Sequence, residues 1–220
     1  MNEDLSQIIK YYSTKPHIEF NALLLAKSKD NLISVFTDLL TSYMNDKNSS
    51  SLREFITVSL SGYKHNPNKL GYNGFKHDSN IGGIPVACEA KPKNIQTAEY
   101  DLRKTKPKFN GEGGFNDYTP ERLSKDRKTR LNLLSSGFLD GELIYIIEFP
   151  FSSIVQTLKN QLPKKRKIGE YKRMANFKFT DYKNCKSKKI IYLNRDSLLR
   201  SEKYFNKVFF KFLKEHKDTR

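Results

Sequence analysis

The 220-residue sequence has no tryptophan and only two cysteines, Cys88 and Cys185. They stand far apart, with no cysteine or histidine neighbour at ligand spacing, which excludes a disulfide-stapled scaffold and a zinc finger or ribbon. A chain of this length buries roughly 70% of the surface its unfolded form exposes, so it needs no staple. Long apolar runs are missing as well. The best, Leu143 to Phe151, falls well short of the roughly 20 residues of a membrane span and contains Glu148. The opening Met-Asn-Glu-Asp-Leu carries acid where a signal peptide needs a basic patch and an apolar run. These absences together lead us to expect a soluble protein of a reducing, intracellular compartment. No Gly-x-Gly-x-x-Gly, Gly-x-Ser-x-Gly or Walker lysine motif is present, so dinucleotide, hydrolase-elbow and P-loop chemistry lack support.

Acid is scarce in one part of the chain only. The whole carries 40 Lys and Arg against 24 Asp and Glu, a net charge of +16. Up to Leu158 there are 20 basic and 18 acidic residues, whereas the last 62 residues hold 20 basic and 6 acidic, a net of +14. A field so localised attracts a polyanion, and nucleic acid is the usual one. The plainer alternative is a lysine-rich soluble surface, since Lys outnumbers Arg 30 to 10.

The N-terminal third reads as helical. Leu32, Val35, Phe36, Leu39, Leu40 and Tyr43 form one apolar stripe behind Asp30, and earlier helices are expected over about Asp4 to Tyr12 and His17 to Lys27. Ser51 and Glu54 have capping-box spacing for a helix to about Leu60. From Gly62 the texture changes to Gly, Pro and Asn. Phe75 to Ile81 and Ile84 to Ala90 read as the arms of a hairpin around Gly82-Gly83, and Lys104 to Tyr118 as a polar, Gly-rich loop. Thr119-Pro120-Glu121 starts a helix expected to end near Gly137. Leu143 to Phe149 has the continuous apolar character of a strand covered on both faces. Lys189 to Leu193 reads as a strand, and Phe205, Val208, Phe209, Phe212 and Leu213 as a helical stripe. Pro163 to Arg173 reads as an exposed basic loop.

The chemistry concentrates between Phe75 and Ile95. On a strand, Glu89 and Lys91 project from one face, while Val86, Cys88 and Ala90 take the other. A hairpin of this length can bring Asp78 alongside Glu89. Two converging carboxylates make a hard oxygen site suited to Mg²⁺, and a nearby ammonium can hold or deprotonate a water and offset charge on a phosphate. That set fits phosphodiester hydrolysis. The plainer readings are an Asx turn for Asp78 and a salt-bridged solvent face for Glu89 and Lys91. Other acid-x-Lys triplets occur, including Asp126-Arg127-Lys128 and Asp181-Tyr182-Lys183, but none follows an apolar strand with a Gly-Gly turn; Asp126 reads as a solvated mid-helix residue.

Asp78, ten intervening residues and Glu89-Ala90-Lys91 resemble the PD-(D/E)XK nuclease motif. Pro92-Lys93-Asn94 and the strand Leu143 to Phe149 extend the resemblance toward type II restriction endonucleases, over Glu54 to Phe149. His77 rather than Pro precedes Asp78, a departure from the motif. The resemblance implies an α/β (α+β) fold, restriction-endonuclease-like, with a mixed central β-sheet flanked by helices. Here a helical N-terminus (1–61), a catalytic core (62–158) and a basic C-terminal strand–helix lobe (159–220) would make a single nuclease domain. It further implies Asp78 and Glu89 as metal ligands, Lys91 as the residue that positions or activates the attacking water, and an additional acid from an upstream helix. Glu54 and Glu19 are the candidates for that acid, although a cap explains the first and an ordinary helix surface the second.

Backbone contacts are expected from Lys164, Lys165, Arg166, Lys167, Lys172 and Arg173, and from Arg122 and Lys125 on the helix after Thr119, whose basic side serves equally as a solvated face. The loop Lys104 to Tyr118 is a candidate to enter a groove and read bases, on the sole ground of its position after the catalytic strand. The implied protein is a Mg²⁺-dependent, sequence-specific endonuclease acting on double-stranded DNA in the bacterial cytoplasm. It would work as a homodimer, with a cognate DNA methyltransferase in the same system. A repair or RNA nuclease of the same superfamily and a non-catalytic nucleic-acid-binding module remain as alternatives.

Overall fold

The computed structural model describes residues 3–45, 50–68, 71–77, 83–162 and 171–216. Four helices come first: α1 (Glu3–Thr14), α2 (His17–Leu25), α3 (Lys29–Asn45) and α4 (Ser51–Leu60). Leu5, Ile9 and Ser13, four residues apart, give α1 its buried stripe. The strands β1 (Lys64–His65), β2 (Gly74–Lys76) and β3 (Val86–Ile95) follow, then α5 (Thr97–Tyr100), β4 (Gly113–Tyr118), α6 (Pro120–Lys128), β5 (Leu131–Leu139) and β6 (Glu142–Pro150). The remainder comprises α7 (Val155–Gln161), β7 (Lys172–Phe177), α8 (Phe179–Tyr182), β8 (Lys189–Leu193), α9 (Arg195–Arg200) and α10 (Lys207–Glu215). Among the described residues no helix is long and apolar enough to cross a membrane.

Six strands form a mixed central sheet in the order β1-β2-β3-β5-β6-β8. Only β3 and β5 run parallel; the other neighbours are antiparallel. Parallel strands need a long connection, and residues 96–130 supply it, carrying β4 and α6. Helices cover both faces. On one side Leu5, Val35 and Phe55 pack against Phe138, Leu143 and Ile146. On the other, an aromatic core joins Ala87, Phe115, Phe149, Phe177, Tyr182 and Phe209, with the Phe149 and Tyr182 rings stacked at 3.7 Å and 8°. The apolar run of β6 is thus explained: it is buried on both faces.

Several expectations change. The helix from Thr119 stops at Lys128, because Thr129 turns extended (φ −86°, ψ 141°) and its N–H closes the last turn on Lys125. The following leucines belong to β5: Leu131 and Leu133 face the aromatic core and Leu134 the opposite side. A strand buried on both faces loses its period of two, and its leucines imitate a helical stripe. The hairpin arms are also shifted. Its first strand is Gly74–Lys76 and the second runs through Pro92 to Ile95, while residues 78–82, with Gly82 of the expected turn, lie outside the described residues. The polar loop ends in a strand, β4, which pairs with β7 in a separate two-stranded ribbon. Lys172 and Arg173 open β7 rather than closing a basic loop. Ser50, not Ser51, is the N-cap of α4, and it makes no side-chain cap hydrogen bond. The basic C-terminal segment is woven into the body: β8 extends the central sheet, and α10 sends Phe209 and Leu213 into the same core as Ala87.

Candidate active site

The central strand β3 sorts its side chains as alternation requires. Val86, Cys88 and Ala90 pack with Val58 of α4 and Tyr63, while Glu89 and Lys91 share the other face. Glu89 is 7% exposed. One carboxylate oxygen, Oε1, accepts from Lys91 Nζ at 2.8 Å and lies 3.6 Å from Arg122 Nη2. The other, Oε2, is buried and has no hydrogen-bond partner among the described residues. A buried carboxylate oxygen left unpaired costs about 1–3 kcal/mol or more, and a cation placed there would relieve that cost.

The ladder places Gly74 opposite Cys88, so the next residue back, Asn73, stands beside Glu89. Asn73 Oδ1 accepts from Ala90 N at 2.8 Å, and its Nδ2 donates to Glu54 Oε2 at 3.3 Å. This amide therefore ties the acid of α4 to the strand that carries Glu89, and Glu54, Glu89 and Lys91 line one cleft. Sequence reasoning missed Asn73. The signal available was the Asn73-Gly74 pair just ahead of Phe75, within the Gly-, Pro- and Asn-rich stretch. Asp78 lies outside the described residues, as do Lys164, Lys165, Arg166 and Lys167. Glu19 is on α2, half-exposed and 3.5 Å from Lys15, away from the cleft lining.

Above Lys91 the ribbon passes very close. A Cβ on Gly113 would fall 2.7 Å from Lys91 Cβ and Cγ and 2.5 Å from Phe177 Cζ. Lys91 Nζ also sits 4.5 Å from the centre of the Phe115 ring. Arg122 of α6 lies over Phe115 and Tyr118, with Lys125 over Tyr72. These two basic residues thus border the cleft, on the side of α6 that sequence reasoning gave them.

Asp126 is a correction. Expected in solvent, it is 2% exposed and accepts from Tyr72 Oη at 2.9 Å and Tyr118 Oη at 3.0 Å. Burial raises its pKa above the ordinary carboxylate value, against those two hydrogen bonds and the Arg122 guanidinium. Burial raises both tyrosines in turn. A further buried carboxylate, Glu148 of β6, is engaged through one oxygen: Oε1 accepts from Tyr63 Oη at 2.5 Å, Asn132 Nδ2 at 2.7 Å and Lys76 Nζ at 3.0 Å.

Among the described residues no three His, Cys, Asp or Glu side chains converge as a metal-binding group. Four carboxylates line the cleft with Lys91, namely Glu54, Glu89, Glu121 and Asp126, and Asn73 ties Glu54 to the strand that carries Glu89. Two hard oxygen donors suit an ion that keeps several waters, as Mg²⁺ does. No protein-family model matches this chain, and no curated protein sequence does either.

Proposed function

We propose that this chain is a Mg²⁺-dependent endonuclease of the PD-(D/E)XK kind, acting on double-stranded DNA as a type II restriction enzyme. The observation that carries the reading is the buried, unpartnered Oε2 of Glu89 beside Lys91 in a cleft shared with Glu54. A mixed sheet flanked by helices, with an upstream helix lending an acid to the cleft, supports it as well.

Glu89 and Glu54 would hold the ion, with Asp78 as a further candidate ligand. Bound there, Mg²⁺ would supply a polarised water and charge to offset that of the phosphate. Lys91, held against Glu89, orients the attacking water at Nζ and offsets the negative charge that grows on the phosphate oxygens. Arg122 adds a second cation at the cleft edge. Lys125, Lys172 and Arg173, with Lys164 to Lys167, contact the DNA backbone. Cutting both strands requires two such sites, hence a homodimer, and protection of the host requires a methyltransferase. The bacterial cytoplasm is the compartment.

The test is digestion of unmethylated phage DNA by the wild-type protein and by Glu89→Ala, with Mg²⁺ or with EDTA. Discrete fragments that need Mg²⁺ and vanish in the variant are expected. A smear would discard sequence specificity but keep the catalytic residues. Absence of cleavage, with tight DNA binding by both proteins, would favour a binding module instead. Glu54→Ala and Asp78→Ala in the same assay decide which acid partners Glu89.

A further inference from the structure

The β4–β7 ribbon has two unlike faces. Phe115, Ala175 and Phe177 point into the aromatic core, while the alternate residues Asn116, Met174 and Asn176 are exposed. In the ladder Asn116 opposes Met174, and Asn176 stands two residues further along β7. The two asparagines therefore sit on a diagonal, roughly 7–8 Å apart. Neither side-chain amide has a hydrogen-bond partner among the described residues. The strand beneath is nevertheless held firmly. Gln161 of α7 accepts from the Asn176 backbone N–H at 2.9 Å and donates to its carbonyl at 2.7 Å, closing the free edge of β7.

The same face opens into a cleft of about 840 Å³ that also holds Lys91 and Glu54. Its own lining balances Lys91, Lys93 and Lys178 against Glu54, Glu112 and Asp181, and the exposed Lys172 and Arg173 at the start of β7 add positive charge at its border. A polyanion seated at Lys91 would thus lie across two fixed, unpaired amides.

We propose that the outer face of this ribbon enters the major groove of double-stranded DNA and reads A·T base pairs through Asn116 and Asn176. The inference rests on the nuclease reading given above. The major groove admits a two-stranded ribbon, and an asparagine amide matches the N6 and N7 edge of adenine in a bidentate pair. Bases rise about 3.4 Å per step, so the diagonal spans about two steps. Met174, across from Asn116, is placed for contact with a thymine methyl group, which the groove displays beside each adenine.

The test separates reading from chemistry. Full-length Glu89→Ala protein, which leaves DNA uncut under the nuclease reading, is used to select from duplex oligonucleotides with a randomised centre. The selection is repeated with Asn116→Ala and Asn176→Ala added singly. Both side chains are exposed, so their removal takes nothing from the core, and melting curves check this. The parent should enrich a motif with adenines about two steps apart. Each added change should cut discrimination at one of those positions roughly tenfold or more, while affinity for the unselected pool and its salt dependence stay nearly constant.

Unchanged motifs in both variants would overturn the proposal. So would an equal loss of affinity for all sequences, which would make the ribbon a backbone clamp, or selection of single-stranded or RNA competitors over duplex. If wild-type protein still cuts phage DNA into discrete fragments in those cases, the nuclease reading survives and only the ribbon's role falls.

Discussion

Two buried carboxylates in this protein should respond to the same mutation in opposite ways. Glu148 is satisfied: three donors converge on Oε1, two of them from the buried Tyr63 and the half-buried Asn132. Glu148→Ala strips those donors of their acceptor. Removing one partner of a buried charged pair costs about 3–5 kcal/mol. Lys76 is 32% exposed and can turn to water, and Asn132 keeps its 2.9 Å bond to Tyr63 Oη, so about 3 kcal/mol is expected. For a domain of this size each kcal/mol moves Tm by about 2–4 °C, giving a drop of about 6–12 °C. Glu89→Ala also breaks a buried ion pair, that with Lys91, whose side chain is 18% exposed, at about 3 kcal/mol. It simultaneously removes the buried unpaired Oε2, whose cost is about 1–3 kcal/mol. The terms largely offset, leaving a net cost of about 0–2 kcal/mol, and Tm should fall clearly less than in Glu148→Ala. Calorimetry of both variants, paired with DNA cleavage well below the lower Tm, checks the contrast. Glu148→Ala should be fragile but active, and Glu89→Ala sturdy but inactive. A Glu89→Ala protein as fragile as Glu148→Ala would refute the argument, because it would make Glu89 a structural ion-pair member.

Two further outcomes follow from the same packing. Gly113→Ala places a methyl group against Lys91 Cβ and Cγ; overpacking should cost about 1–3 kcal/mol, and the displaced ammonium should lower the cleavage rate about 100-fold, read by comparing kcat and Tm. At Asp126, Ala leaves two buried tyrosine hydroxyls without an acceptor and should cost about 2–4 kcal/mol, whereas Asn, with the Tyr hydroxyls rotating to suit it, should stay within about 1 kcal/mol at neutral pH. Because burial raises the folded-state pKa of Asp126 above its ordinary 3.8, the native protein binds this proton before the unfolded chain does. The charged form therefore burdens the fold at neutral pH. That burden lifts as pH falls through the raised value toward 3.8. Urea titrations across this range should show the wild type gaining on Asp126→Asn, and a gap independent of pH would contradict the assignment.

How much of this was legible in the sequence depends on the range of the interaction involved. The helical N-terminus, β6 and β8 announce themselves because amphipathic stripes and unbroken apolar runs are local patterns. The partition of Glu89 and Lys91 from Cys88 and Ala90 follows from alternation alone. Asp126 was misread since its acceptor role depends on Tyr72 and Tyr118, which no periodicity in α6 reveals. The hairpin register was hidden for a different reason. A turn at Gly82-Gly83 suggests arms that would set Asp78 near Glu89, but the pairing is anchored at the other end. A Cβ on Gly74 would come within 2.6 Å of Val58 Cγ1 and 2.9 Å of the Lys64 carbonyl oxygen, so only glycine lets α4 and β1 approach β2 there. That close approach fixes Gly74 opposite Cys88, and with it Asn73 beside Glu89. A slip of one residue would turn every side chain of β2 to the opposite face and detach Asn73 from Glu54. The link between the two cleft acids is thus set by a packing contact between helix and hairpin, which leaves in the sequence only a single glycine after an asparagine.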